Sequence, residues 1–120
     1  MDALMQILCA GFGGAFGAML RFALSKNFDS AALPWGTLAA NTAAAFFLGI
    51  APILARGDGF ANLFFSVGFC AALSTFSSLA WQIYTMIRHG RVLKGALYAA
   101  LTVAAGMCAY ALADAVAGIL

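Results

Sequence analysis

The sequence predicts an all-α integral membrane protein with four transmembrane helices. Three observations carry that reading. Of 120 residues, 65% are hydrophobic; only 8% are charged; and the charges are spaced so that four long uncharged windows lie between them. A soluble domain carries about a quarter charged residues, so this chain lacks the polarity to cover a water-facing surface. The mean hydropathy of +1.00 agrees. Soluble and disordered classes are thereby set aside, and the length suits one domain.

The windows are 3–20, 30–55, 59–87 and 95–113, holding 18, 26, 29 and 19 residues. A helix needs roughly 20 apolar residues to cross the hydrocarbon core. The expected spans are about 4–24, 33–55, 61–87 and 93–118, forming a single four-helix transmembrane domain over 1–120. No basic segment precedes the first window, which argues against a signal peptide. The windows are continuously apolar rather than alternating, which argues against a barrel.

In the first span, Gly13 and Gly17 form a GxxxG overlapped by Ala10, Gly14 and Ala18. Small residues at this spacing let helix backbones approach closely in lipid. Arg21 is the one charge that falls where this span should still be helical. It either snorkels to the interface or makes a positive vestibule for an anion.

The second span carries Thr37 and Asn41, four residues apart. The Asn41 amide brings two donors that cannot be hidden as a hydroxyl can against its own helix, so it serves interhelical bonding or a polar pathway. The third span holds Ser74-Thr75-Phe76-Ser77-Ser78. Four hydroxyls in five positions can satisfy a helix broken near 71–75, or bond back within an unbroken one. The fourth span has Ala105, Ala109, Ala113 and Ala117 at every fourth position, a packing stripe, and Tyr98 with Thr102 on one face. Tyr98 suits either an interfacial aromatic belt or a pore wall.

Cys9, Cys70 and Cys108 each lie in an apolar window and match no metal motif; they read as small buried hydrophobes. His89 sits among Arg88, Arg91 and Lys94 in a polar connection. There is no phosphate-binding loop, no serine-histidine-acid arrangement and no intramembrane carboxylate pair, so the chain is not read as an enzyme.

These residues resemble the Fluc/CrcB family of fluoride channels along nearly the whole chain. Gly13-Gly14, Gly17-Ala18 and Arg21-Phe22 look like the family's GGxxGAxxR(Y/F) element. Pro34-Trp35-Gly36-Thr37-Leu38, with Asn41, Phe46 and Gly49, looks like PxGTLxxNxxG(S/C)FxxG. Gly68-Phe69 and Leu73-Ser74-Thr75-Phe76-Ser77-Ser78 are similar to GFxGG(F/L)TTFS(T/S)F. Three elements in the right order on the right three helices make the match specific.

The resemblance implies a passive fluoride-selective channel in the cell's inner (plasma) membrane. It would be a multi-pass, dual-topology protein assembled as an antiparallel dimer, with two pores near the subunit interface. Asn41 corresponds to the pore asparagine and Phe76 to the first pore phenylalanine. Ser77 and Ser78 would be the third-helix hydroxyls, and Tyr98 and Thr102 the start of the fourth-helix polar track. A structural sodium ion would be held by backbone carbonyls at the third-helix break, by position those of Ala71 and Ser74. The chain departs from the pattern where Leu79 replaces the second pore phenylalanine and where Ala71-Ala72 replaces paired glycines. Ala44-Ala45 and Gln82 also stand where the family has a Gly-Ser or Gly-Cys pair and an acid.

Charge placement bears on the partner. Arg21, Lys26, Arg88, Arg91 and Lys94 belong to one face of a four-span bundle, and Arg56 to the other. The positive-inside rule then favours a single orientation with both termini outside. An antiparallel homodimer needs both orientations, so the expectation is divided between that homodimer and a heterodimer with a paralogue of opposite bias. Two further readings come from other classes. A small multidrug transporter needs a membrane-embedded carboxylate, whereas the first span here has no acid after Asp2 and the chain has no glutamate at all. A non-conducting structural or regulatory subunit would tolerate the departures at Leu79 and Ala71-Ala72.

Overall fold

The structure, a computed structural model, describes residues 2–29, 33–74 and 76–119. Among the described residues there is no strand; an isolated bridge between Asp29 and Pro34 closes the first connection. The helices are α1 (Ala3–Phe28), α2 (Trp35–Ala55), α3 (residues 59–73, π-helical from Leu63 to Cys70), α4 (Phe76–Arg88) and α5 (Val92–Ile119). Four helical stretches are long and apolar enough to cross a membrane, with Gly59–Arg88 counting as one of them. The all-α architecture with four such helices is therefore as the sequence predicts. α1 continues to Phe28, past the expected end at 24, because Lys26 and Asp29 sit at the helix end rather than ahead of it.

Each helix end has its own device. Asp2 Oδ1 accepts the Leu4 N–H at 3.5 Å, and Asp58 Oδ1 accepts the Phe60 N–H at 3.0 Å, each satisfying a donor that the first turn leaves open. At the end of α4, Gly90 adopts φ +79°. Its N–H donates to the Ile87 carbonyl and the Arg91 N–H to the Met86 carbonyl, the paired closure that a left-handed glycine permits. α2 begins after Pro34, which has no capping side chain; its cap comes from Asp29, described below.

Packing follows the small residues. A Cβ at Gly13 would strike the Phe64 carbonyl, one at Gly17 the Phe69 carbonyl, and one at Gly68 the Ala10 carbonyl. α1 and the π-helical stretch of α3 thus touch backbone to backbone, as the GxxxG predicts. On the other side α2 lies against α5, where Gly49 faces Ala113, the fully buried member of the alanine stripe. Between them Ala40, Ala44 and Leu73 form the core, flanked by Leu24, Phe47 and Phe69. The Phe47 and Phe69 rings meet edge to face, centroids 5.6 Å apart.

α3 and α4 have different neighbours. α3 packs on α1 and α2, whereas α4 packs on α5. Between them Ser74 has extended backbone (φ −75°, ψ 155°), Thr75 lies outside the described residues, and α4 starts at Phe76. Chain direction reverses between successive spans but not between α3 and α4, so Asp29 and Pro34 share one end of the bundle with 89–91. Residues 56–58 and both termini share the other.

Candidate functional site

Two grooves and one hydrogen-bonded relay hold most of the polar and aromatic residues singled out by the sequence. The first is a groove of about 300 Å³ between α2 and α3, lined by Asn41, Ala44, Ala45, Leu48, Ser66, Cys70, Ala71 and Ser74. Its walls are apolar except for one amide and two hydroxyls. Asn41 is half-buried and, like Ser78, has a bonding partner. The Ser66 hydroxyl donates to Asn62 Oδ1 at 3.1 Å, and the Ser74 hydroxyl lies 3.3 Å from the Ala71 carbonyl oxygen. Both hydroxyls can rotate to donate elsewhere. The groove therefore brings Asn41, Ala71 and Ser74 together.

The second surface is the open face of α4. Phe76, Leu79, Ala80, Ile83, Tyr84 and Ile87 line an apolar groove of about 350 Å³. The Phe76 ring is 81% exposed, so nothing in a single chain covers it. Leu79 stands one turn further along the same face. Ser77 is exposed and Ser78 half-buried. Within one chain Phe76 and Asn41 line separate grooves.

The third assembly is a part-buried relay at the end carrying Asp29 and Pro34. Asp29 Oδ1 accepts the Thr37 N–H at 2.9 Å, and Oδ2 accepts the Thr37 hydroxyl at 3.1 Å. Gln82 Nε2 donates to Thr37 Oγ at 2.9 Å. The Tyr98 hydroxyl donates to the Pro34 carbonyl at 3.1 Å and lies 3.3 Å from Gln82 Oε1. Thr102 donates to the Tyr98 carbonyl within α5. An ionised carboxylate only accepts, so Asp29 fixes the direction of the bonds through Thr37 and Gln82. Thr37 must give its proton to Asp29, its lone pairs then face the Gln82 NH2, and the amide oxygen is left towards Tyr98. The relay joins the end of α1 to α2, α4 and α5.

Tyr98 is 1% exposed and Thr102 is also buried, so these two belong to the relay and not to the Asn41 groove. Arg21 lies on α1 one turn beyond Gly17, whose face meets Phe69 and Leu73. Its Nε is buried with no hydrogen-bond partner among the described residues. Sequence reasoning did not single out Asp29, Ser66 or the bonding role of Gln82. The signal for Asp29 was present: a helix opening on Pro34 needs a cap from elsewhere, and Asp29 is the nearest acid.

The relay makes a prediction at Gln82. Glutamate there would turn a carboxylate towards lone pairs on Thr37 that already face away from Asp29. Gln82→Glu is expected to destabilise the fold by about 1–3 kcal/mol, the cost of leaving an acceptor facing an acceptor with no proton between them. A thermal melt in detergent should show a lower midpoint, and an unchanged midpoint would contradict the assigned bond directions.

Fold and grooves together define a small, multi-pass, all-helical membrane protein whose polar groups lie in grooves between spans. Residues 8–114 match the model of the family described as CrcB-like protein, Camphor Resistance (CrcB). The chain belongs to that family. It is 33% identical over 112 residues to a "Fluoride-specific ion channel FluC" of Hydrogenovibrio crunogenus, covering 88% of this chain and 85% of that one. Proteins of the same name from Idiomarina loihiensis and Methanococcus maripaludis are 34% and 35% identical. The first match covers 85% of this chain and 84% of its relative, and the second 82% and 84%.

Proposed function

We propose that this chain is a subunit of a passive, fluoride-selective channel that exports cytoplasmic fluoride. The observation that carries the reading is the family match over 8–114 combined with a groove that places Asn41 beside Ser66 and Ser74. Fluoride is small and strongly hydrated, so a selective path must replace its water with close donors. The Asn41 amide and rotatable hydroxyls are such donors, and no Lys or Arg lines the groove to bind the ion too tightly for release. The rim of the Phe76 ring carries the positive end of its quadrupole and can face an anion without a fixed charge. Ser77, Ser78, Tyr98 and Thr102 extend the polar path by the family pattern. Tyr98 would have to release its present bonds to do so. Arg21, with its orphaned Nε, suits the positive vestibule.

The working unit is an antiparallel dimer. Support comes from the bare Phe76 face and from the separation of Phe76 and Asn41 into different grooves, which a second chain would bridge. The chain is either half of a homodimer or one subunit of a heterodimer whose paralogue has the opposite charge bias. Structural sodium would be held by the carbonyls of Ala71 and Ser74 in the third-helix break. The donor set fits: both residues are exposed, the extended Ser74 ends the helix, and the Ala71 carbonyl is met by a rotatable hydroxyl, that of Ser74 at 3.3 Å. Two neutral oxygens from each of two chains would supply four ligands. The ion would add positive potential at the dimer centre.

Reconstitution of the chain alone in liposomes tests the reading, with chloride as the comparison ion. Fluoride-selective efflux from this chain alone would support the homodimer; efflux only after adding the paralogue would support the heterodimer. The non-conducting subunit is the second reading, favoured by Leu79 where a pore phenylalanine is expected. Absence of efflux in both arms would establish it.

A further inference from the structure

A third groove, of about 280 Å³, runs along the outer face of α5 beside the first connection. Its walls are Leu33, Leu93, Leu97 and Leu101, with the Tyr98 ring at its floor and Lys94 at the polar end. The Tyr98 hydroxyl points inward to Pro34 and Gln82, so the groove receives only the ring. From Lys94 to Leu101 the helix rises about 10 Å, a length that takes the upper part of an acyl chain. Lys94 is half-buried, and its side chain has no hydrogen-bond or ion-pair partner among the described residues. The same end of the bundle carries Lys26, Arg88 and Arg91. Its one carboxylate, Asp29, has both oxygens committed to Thr37. By contrast, the groove beside Phe76 has no charged residue, and the one at 55–62 has Asp58.

We propose that this groove is a binding site for one anionic glycerophospholipid, with an acyl chain along the α5 leucines and the phosphate at Lys94. The occupant follows from the juxtaposition. An apolar trough inside the bilayer excludes a soluble anion as its main ligand, and an unpaired lysine at the headgroup level selects an anionic lipid over a zwitterionic one. Lys94 takes the phosphate at the groove's mouth, while Arg88 and Arg91 enlarge the local field without lining the groove.

Native mass spectrometry of the full chain in detergent tests the site, titrating dioleoyl phosphatidylglycerol against dioleoyl phosphatidylcholine. The anionic lipid should be retained about fivefold better, the attraction of one lysine for an anionic headgroup. Lys94→Gln should abolish that preference, Lys94→Arg should keep it, and Leu97→Trp, at an exposed position, should weaken retention of the anionic lipid by crowding the trough. Arg88→Gln is the control for diffuse surface charge and should change the preference by much less than Lys94→Gln. Equal retention of the two lipids overturns the proposal, as does an Arg88→Gln effect matching that of Lys94→Gln. Displacement of the lipid by soluble glycerophosphate, with Leu97→Trp silent, would show a free-anion site and overturn it too. If Leu97→Trp changes the oligomeric state while lipid retention stays constant, the groove is instead covered by a second copy.

Discussion

Replacing Asn41 by aspartate is expected to abolish fluoride efflux while leaving the protein folded. The two side chains have nearly the same shape, so the packing of α2 against α3 at Ala40 and Ala44 should survive. What changes is the chemistry of the groove. An amide that can donate two hydrogen bonds becomes a carboxylate that only accepts. An anion about 4 Å from that carboxylate meets a repulsion of roughly 4 kcal/mol at an effective dielectric of 20. That corresponds to a fall of about three orders of magnitude in rate. Liposome efflux recorded with a fluoride electrode should drop to the leak rate, with the size-exclusion profile unchanged. Efflux at the parental rate from Asn41→Asp would remove Asn41 from the conduction path and leave the groove a packing defect.

The second large effect is structural. Gly17→Ala should prevent the close approach of α1 to α3, because the added methyl falls on the Phe69 carbonyl and within 3.0 Å of the Leu73 backbone nitrogen. Neither obstacle is the flexible end of a side chain, so relief requires moving a helix. Overpacking of this kind costs about 1–3 kcal/mol and sometimes more. Gly11→Ala is the matched control, since nothing lies within 4 Å of a Cβ there. Yield of monodisperse protein and the thermal midpoint should fall for Gly17→Ala and hold for Gly11→Ala. Equal behaviour of the two would mean that the GxxxG face is not where α1 and α3 meet.

The parts of this molecule that the sequence announced are those governed by the bilayer. Hydrocarbon thickness dictates how long an uncharged window must be, and charge scarcity marks where each window stops. Close packing in lipid likewise requires small residues, so Gly13, Gly17 and Ala113 were readable as contact positions. Asn41 was readable because an amide inside an apolar span demands a partner. The relay was not, because its members lie far apart in sequence: Gln82 and Thr37 are 45 residues apart, and Tyr98 and Pro34 are 64 apart. Propensity and periodicity describe neighbours along one helix and are silent on pairs that meet only after the bundle closes. The same limit applies to Tyr98, which an aromatic belt or a pore wall would have placed at a surface. Burial among α2, α4 and α5 instead commits its hydroxyl to Pro34 and Gln82. The π-helical register of Leu63–Cys70 was also unannounced; such stretches depend on tertiary contact and often mark functional sites.

The pairing of α2 with α5 has a consequence for biosynthesis. The face of α2 that carries Gly49 is completed only by the final helix, and the Thr37 hydroxyl receives its Gln82 bond from a segment made far later. Sixty-four residues separate Ala55 from Ile119, which takes roughly 3–13 s to translate. Once α3 is made, α1, α2 and α3 can associate through their glycines, but until α5 arrives α2 presents an unfilled face to the lipid and α4 has no helix to rest on. The bundle therefore closes only when α5 docks on α2 and α4. A ribosome stalled before α5 would leave a membrane-embedded fragment that is correctly threaded and still unassembled.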